Sequence, residues 1–129
     1  MTSHQAQAEE LLSAMKLLMD DVGAYKSAVA LLAVHCAIAF NDAVLEKLTG
    51  AVHKGQNHSE ATKKTKDACV KNNIDSAGVR HLERLVASKN LYSYSGIVDF
   101  AKANDAADKA EKFANWANRA VLRGEPSNV

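Results

Sequence analysis

The sequence predicts an all-α fold, an up-and-down bundle of four main helices plus one short helix, in a single domain over residues 1–129. Residues 27–48 contain no Gly or Pro and are rich in Ala and Leu, which are strong helix formers. Most of the remaining chain carries apolar residues at helical spacing, and no segment reads as two strands joined by a turn. With 47% hydrophobic residues, the chain has enough apolar material for one core.

The first two predicted helices form a hairpin. Helix 1 begins near Thr2, whose side chain together with Gln5 fits a capping box. Gly23 marks a break, helix 2 follows over about residues 24–49, and Gly50 suits its C-terminal cap. Because the link is short, we expect the two helices to be antiparallel neighbours. The apolar stripe of helix 1 comprises Leu11, Leu12, Met15, Leu18, Met19 and Val22.

Helix 2 is apolar around most of its circumference, so we expect it to be buried on most sides. Its length would suit a membrane span, but His35, Asn41, Asp42 and the neighbours Glu46 and Lys47 interrupt the apolar run. We therefore predict a core helix and no membrane partner.

The second half of the chain is predicted to hold three helices, of which helix 3 is the short one. Ser59 is expected to cap helix 3 over about residues 60–71, and Asp75 or Ser76 to cap helix 4, which ends near residue 88. Helix 5 is expected to be capped by Asn104 and to end before residue 124. The inward-facing residues should be Ala61, Ala68 and Cys69 on helix 3, Val79, Leu82, Leu85 and Val86 on helix 4, and Ala110, Phe113, Ala114, Ala117 and Val121 on helix 5.

Charge is unevenly distributed along the chain, although the net charge is only +1. Residues 1–46 hold two Lys against six Asp and Glu, a net charge of −4, whereas residues 47–89 hold nine Lys and Arg against four, a net charge of +5. A basic middle of this kind can meet phosphate, although a solvated surface is the more common meaning. The outer face of helix 3 contributes Lys63, Lys64, Lys66 and Lys71.

Cysteine and histidine usage points to neither a disulfide framework nor a metal site. Cys36 and Cys69 fall in predicted helices, so we expect buried, reduced thiols in a cytoplasmic protein without a targeting peptide. His53 and His58 share one loop but have no third ligand at a suitable spacing. The sequence therefore predicts no metal and no cofactor.

The polar residues of helix 2 are the first candidate site. His35 and Asp42 are seven residues apart and share one face, with Asn41 beside them. Together with Arg84 of helix 4 they could form a small pocket for a nucleotide or an RNA phosphate. The alternative is a structural seam, hydrogen-bonded to helix 4 residues such as His81 or Arg84, or to a twofold partner, which is the more common fate of buried polar groups.

The least helical part of the chain, residues 89–96, is the second candidate site. Cations and aromatic rings on one loop suit a nucleotide, since cations attract phosphate and rings stack on bases. The alternative is that the tyrosines only cover the open end of the bundle. The residues of this site are Lys89, Asn90, Tyr92 and Tyr94, and those expected to hold the segment against the core are Ile97, Val98 and Phe100.

Several segments in this order are similar to those of the HEPN family, small helical bundles named for nucleotide binding in higher eukaryotes and prokaryotes. The central helix AYKSAVALLAVHCAIAFNDAVLEKLTG leads into a His-containing loop, NHSEA. A later helix ends in the loop SKNLYSYSG, and the closing helix NDAADKAEKFANWANRAV follows. The resemblance covers about residues 11–122 and implies a helical bundle that binds a nucleotide or RNA.

The catalytic branch of that family has an Arg, then four to six residues, then a His, in the loop after the helix numbered 4 here. The resemblance implies that in those proteins this pair cuts RNA in a groove of the dimer. The Arg stabilises the charged transition state, and the His moves a proton. Here Lys89 stands near the place of the Arg and Tyr94 near the place of the His. Since a tyrosine hydroxyl ionises only at about pH 10, it is a poor general base at neutral pH, and we predict no catalytic residues.

The resemblance therefore implies a non-catalytic binding module for a nucleotide, for RNA or for a small nucleotidyltransferase partner. We also expect a homodimer, because helices 1 and 2 offer more apolar surface than one small bundle covers. Two alternatives stay open: a degenerate ribonuclease toxin, in which Lys89 and Tyr94 replace the missing pair, and a purely structural dimerisation domain.

Overall fold

A computed structural model of the chain describes residues 2–52, 57–88 and 98–123. These ranges hold five α-helices and no strand, which confirms the predicted all-α bundle. The helices are α1 (Ser3–Met19), α2 (Lys26–Thr49), α3 (His58–Lys71), α4 (Val79–Ala87) and α5 (Phe100–Ala117). The last helix continues as a π-helical turn, Asn118–Leu122, which the N–H of Arg123 closes by donating to the carbonyl of Asn118 at 3.0 Å. Among the α-helices of these ranges the shortest is α4, with nine residues, and not the third helix, which has 14.

The central helix of the bundle is α2, as predicted. It packs against α1, α3, α4, α5 and the π-helical turn, and 12 of its 24 residues are buried. By length and composition α2 would also suit a membrane span, but 67% of its most apolar window is buried inside the bundle. Burial around most of the circumference explains why this helix lacks the single apolar stripe of a surface helix.

The helices α1 and α2 form the expected antiparallel hairpin. His4, near the start of α1, places Nδ1 3.3 Å from Oε1 of Glu46, near the end of α2. Farther along the hairpin, the thiol of Cys36 donates to the carbonyl of Ala8 at 3.9 Å. The two contacts run in opposite directions along the chain, which fixes the antiparallel arrangement.

Two predicted helix ends are confirmed. Thr2 caps α1, with Oγ1 accepting from the N–H of Gln5 at 3.1 Å. Gly50 ends α2 with a φ of 83°, and its N–H donates to the carbonyl of Glu46 at 2.9 Å. A left-handed residue at this position is the usual way to end a helix, and glycine adopts it without a Cβ clash.

Two predicted caps are wrong. Helix α3 is capped by Asn57 and not by Ser59, because Asn57 Oδ1 accepts from the N–H of Glu60 at 3.0 Å. Helix α5 is capped by Asp99 and not by Asn104, because Asp99 Oδ1 accepts from the N–H of Lys102 at 2.8 Å. In each case an acceptor farther upstream reaches a free amide of the first turn, so the helix starts earlier than predicted.

The start of α4 also differs from the prediction. Neither Asp75 nor Ser76 caps the helix; its N-terminal flanking residue is Gly78, which makes no side-chain cap. Asp75 instead closes the preceding turn, with Oδ1 accepting from the N–H of Ala77 at 2.9 Å. Helix α2 begins at Lys26, two residues later than expected, after a turn that follows α1.

The predicted inward faces form the core, with one exception. Phe100 is 56% exposed because it opens α5 on its outer side, whereas Val98 just before it is buried. Ile97 lies outside the described residues. Partly buried members of the predicted stripes are Leu11, Leu18 and Met19 of α1 and Val86 of α4. Buried members are Leu12, Met15, Val22, Ala61, Ala68, Cys69, Val79, Leu82, Leu85, Ala110, Phe113, Ala114, Ala117 and Val121.

Both cysteines are free and buried, as predicted. Burial raises the pKa of the Cys36 thiol to about 12. Burial, followed by the nearby charge of Asp75, also raises the pKa of Cys69. Because the thiolate is the reactive form, both groups are inert at neutral pH.

Candidate anion-binding cleft

Two predicted site residues, Asn41 and Asp42, line one small cavity between α2, α3 and α4. Its volume is about 70 Å³, and its other lining residues are Ile38, His58, Ala61, Thr62, Leu82 and Val86. One water occupies about 30 Å³ of liquid, whereas small-molecule sites start at about 300 Å³. The cavity is therefore too small for a nucleotide.

Asn41 connects two helices. Its side chain is buried, and Oδ1 accepts a hydrogen bond from Oγ1 of Thr65 on α3 at 2.5 Å. The Thr65 side chain is fully buried and also contacts the carbonyl of Ala61, with an oxygen–oxygen distance of 3.2 Å. A satisfied polar pair of this kind is the structural seam that the sequence left open as an alternative, although its partner is α3 and not α4.

The remaining predicted site residues do not join that cavity. His35 and Arg84 are exposed, and neither of them lines it. His35 lies two turns before Asp42 on α2, so a shared helical face does not bring the two side chains into one pocket. Four predicted residues lie outside the described ranges: Lys89, Asn90, Tyr92 and Tyr94.

A larger concavity lies between the start of α4 and the C-terminal half of α5; we call it the α4–α5 cleft. Its volume is about 360 Å³, at the lower end of the range of about 300–1,000 Å³ that small-molecule sites occupy. Its lining residues are Asp75, Ala77, Gly78, Arg80, His81, Lys112, Asn115, Trp116 and Arg119.

Trp116 forms the floor of the α4–α5 cleft. The indole Nε1 donates to the carbonyl of Asp75 at 2.8 Å, which ties α5 to the turn before α4. Gly78 lies directly against the same side chain: a Cβ at position 78 would be 2.2 Å from Cγ of Trp116. The indole is only 7% exposed and is stacked on Phe113, with ring centroids 5.5 Å apart. The absence of a side chain at position 78 therefore lets α4 approach α5 closely.

The walls of the α4–α5 cleft carry more positive than negative charge. Arg80, Lys112 and Arg119 line the cleft together with one acidic residue, Asp75. Lys112 Nζ is 3.0 Å from Oδ2 of Asp108, an exposed pair one turn apart on α5. Among the residues that the structure describes, neither Arg80 nor Arg119 forms an ion pair. These two guanidinium groups are thus available to a bound anion.

His81 is the titratable group of the cleft. Partial burial of its ring and the positive charges of Arg80, Lys112 and Arg84 lower its pKa below the usual value, and Asp108 opposes this shift. The imidazole is therefore neutral at pH 7 and able to accept a proton. A bound anion would favour the protonated form, because opposite charges stabilise each other.

The sequence did not predict this cleft, although the residue pattern of one of its two walls is present in the sequence. Lys112, Asn115, Trp116 and Arg119 follow the spacing i, i+3, i+4, i+7, so the sequence places them on one face of the last helix and its continuation. The other wall comes from the start of α4, and no helical period tells which turn of α4 meets which turn of α5. The missing information is tertiary contact between the two helices.

Among the described residues, no group of three or more His, Cys, Asp or Glu side chains is placed to hold a metal ion. Asp42 and His58 line the small cavity without a third such residue.

Comparison with known proteins returned no matching family model, no similar curated protein and no similar solved structure. The likeness to HEPN domains therefore stays a prediction from the sequence.

Proposed function

We propose that this helical domain is a non-catalytic, HEPN-like module that binds the phosphate of a nucleotide or of RNA. The observation that carries the proposal is the α4–α5 cleft, where Arg80, Lys112 and Arg119 line one concave surface. Arginine suits phosphate because its planar donors match two phosphate oxygens at once, and lysine adds a point charge.

The charge of the middle of the chain supports the same ligand class. Residues 47–89 carry a net charge of +5, and Lys63, Lys64 and Lys71 of α3 are exposed. A positive field of this kind raises the local concentration of polyanions and speeds their association. Small ligands need only the cleft, whereas RNA can also contact the exposed lysines of α3.

RNA binding to the cleft should depend steeply on salt. For single-stranded RNA, the logarithm of the affinity falls with the logarithm of the salt concentration with a slope of about −0.7 for each phosphate contact. The three permanent cations of the cleft therefore contribute a slope of about −2, which Arg80→Gln should reduce by about 0.7. Fluorescence anisotropy of a labelled oligonucleotide between low and moderate salt measures both values.

A matched control is available on α5. Lys102 is an exposed cation in the first turn of α5, outside the cleft. Lys102→Gln should change the slope much less than Arg80→Gln or Arg119→Gln. Equal effects of all three substitutions, or binding that salt does not weaken, would contradict the proposal.

The same samples decide between binding and catalysis. A neutral His81 beside Arg80 and Lys112 has the groups that acid–base cleavage of RNA requires, which favours a ribonuclease as the second candidate. Cleavage that is lost in His81→Ala would place that activity in the cleft. Cleavage that is lost in Lys89→Ala would instead support the degenerate family-type ribonuclease.

A nucleotidyltransferase partner or a purely structural role would have a different signature. In either case neither RNA nor nucleotides should raise the melting temperature, since a ligand stabilises a protein only by binding its folded state. Intact RNA that binds supports the module proposed here, whereas intact RNA that fails to bind points to a protein partner.

A further inference from the structure

We infer that the α4–α5 cleft recognises a phosphate group without reading the base attached to it. This inference rests on the proposed function and names the ligand chemistry of the same site. The ligand class is a polyphosphate or phosphodiester anion, whether it belongs to a free nucleoside triphosphate or to RNA.

First, Trp116 is the only Phe, Tyr or Trp among the described residues that line the cleft, and its side chain is buried. Proteins that bind bases offer an aromatic face on which the base stacks. Here Trp116 is only 7% exposed. Its indole is stacked on the ring of Phe113 and lies against Gly78. Because the ring is packed in the protein interior, a base cannot stack on it.

The second argument is that the indole N–H is also occupied. It donates to the carbonyl of Asp75 at 2.8 Å, and an indole has no second donor. Base edges are read by directional donors and acceptors, and the uncharged polar side chains that the cleft offers at pH 7 are Asn115 and His81. One amide and one imidazole are a weak basis for discriminating four bases.

The third argument is the chemistry that the cleft does present. Arg80 and His81 from α4, Lys112 from α5 and Arg119 from the π-helical turn all line the concavity. These four nitrogen-rich groups match the several equivalent oxygens of a phosphate chain. Asp108 holds Lys112 at 3.0 Å, so a bound anion competes with that carboxylate for the ammonium group.

The test is a calorimetric titration of the full chain with five phosphate ligands and one nucleoside. The ligands are inorganic tripolyphosphate, ATP, GTP, CTP and UTP, and the nucleoside is adenosine. The five phosphates should bind with affinities within about threefold of one another, because each presents the same chain of three phosphates to the cations. Adenosine should show no binding.

Variants assign the binding to the cleft. Arg119→Gln should weaken all five phosphates by about tenfold, the usual cost of one charge-assisted contact. Asp108→Asn should tighten all five, because it releases Lys112, and Lys102→Gln is the matched control. Each of these side chains is exposed or half-exposed, and a thermal melt of each variant checks that the fold is intact.

The outcomes separate the inference from the proposed function. Affinities that differ by more than about tenfold among the four nucleotides, or binding of adenosine, overturn base-independent recognition but leave nucleotide binding standing. Loss of binding for all ligands, including RNA, overturns both. Tight tripolyphosphate binding that Arg119→Gln does not weaken places the phosphate elsewhere and overturns the inference alone.

Discussion

Gly78 shows how strongly a single position can be constrained. A Cβ there would lie 2.2 Å from Cγ and 2.4 Å from Cβ of Trp116, both near the root of a buried side chain that cannot swing away. We expect Gly78→Ala to lower the free energy of unfolding by about 1–3 kcal/mol, the typical cost of overpacking. Urea denaturation followed by circular dichroism measures this loss.

Gly23 provides the matched control. A Cβ at this position would meet nothing within 4 Å, and its backbone is not left-handed. Gly23→Ala should therefore be neutral or stabilise the protein by up to about 1 kcal/mol, because alanine restricts the unfolded chain. Equal destabilisation by the two substitutions would show that α4 does not depend on its close approach to Trp116.

His81 gives the cleft a defined pH dependence. Its pKa is lowered, chiefly by burial and then by Arg80, Lys112 and Arg84, with Asp108 acting in the opposite direction. The folded state therefore takes up this proton less readily than the unfolded state, so the His81 contribution lowers stability as the pH falls below the usual histidine pKa. A bound phosphodiester should reverse this penalty, because it keeps its negative charge throughout this range.

RNA affinity should accordingly rise as the pH falls from about 7.5 through the usual histidine range, because the imidazole gains its charge. Anisotropy titrations at fixed ionic strength measure this change. In His81→Gln the rise should disappear while the salt dependence remains. A rise of the same size in that variant would assign the proton to another group.

At the scale of elements, the N-terminal cap of α5 is Asp99 and not the predicted Asn104. Asp99 Oδ1 accepts from the N–H of Lys102, whereas Asn104 only donates to the carbonyl of Phe100 from an exposed position inside the helix. Asp99→Ala should cost about 1 kcal/mol, within the usual range for a lost cap. Asn104→Ala should cost nothing or stabilise slightly, since alanine is the better helix former. Thermal and urea unfolding of both variants test the difference.

The difference between helix ends and helix starts explains which parts of the fold can be predicted from the sequence. Gly50 is a clear signal because it comes directly after a 24-residue helix without Gly or Pro, and α2 is recognisable by its apolar length. Helix starts are harder, because several Asn, Asp and Ser residues compete within a few positions. Asn57 and Ser59 are both good caps, and only the backbone path shows which one reaches the free amide.

The candidate site was less predictable than the fold for a related reason. Asn41 and Asp42 attract attention because they are polar within an apolar helix, yet Asn41 is satisfied by Thr65 in the core. Arg80 and Arg119 are ordinary exposed charges in the sequence and gain meaning only when α4 and α5 meet. Polar residues within an apolar helix can be recognised in the sequence. In contrast, the meeting of side chains from two helices can be seen only in the tertiary structure.

At the scale of the whole molecule, the homodimer stays a prediction, and α1 with α2 offers the surface for it. Leu17 is 71% exposed, and Tyr25 and Leu31 are 47% and 39% exposed. Because the two helices are antiparallel, these residues lie at the same end of the hairpin. Light scattering coupled to size exclusion should give twice the chain mass, and Leu17→Ser with Leu31→Ser should shift it to the monomer.

Val70 gives the dimer prediction its control. It is an apolar residue of α3 that is 73% exposed and does not belong to the α1–α2 hairpin. Val70→Ser should leave the mass unchanged. A monomeric protein at micromolar concentration would contradict the dimer, and a dimer that only Val70→Ser disrupts would move the interface to α3.

The alanine-rich packing of α5 limits how this chain can vary over generations. Six of the eight buried residues of α5 are alanines, and the helix packs against the central α2. A larger side chain would separate the two helices, while glycine would cost about 1 kcal/mol of helix propensity. Few substitutions remain at such sites. Descendants of this chain should therefore keep a recurring pattern of small residues along α5, even where their large core residues have exchanged with one another.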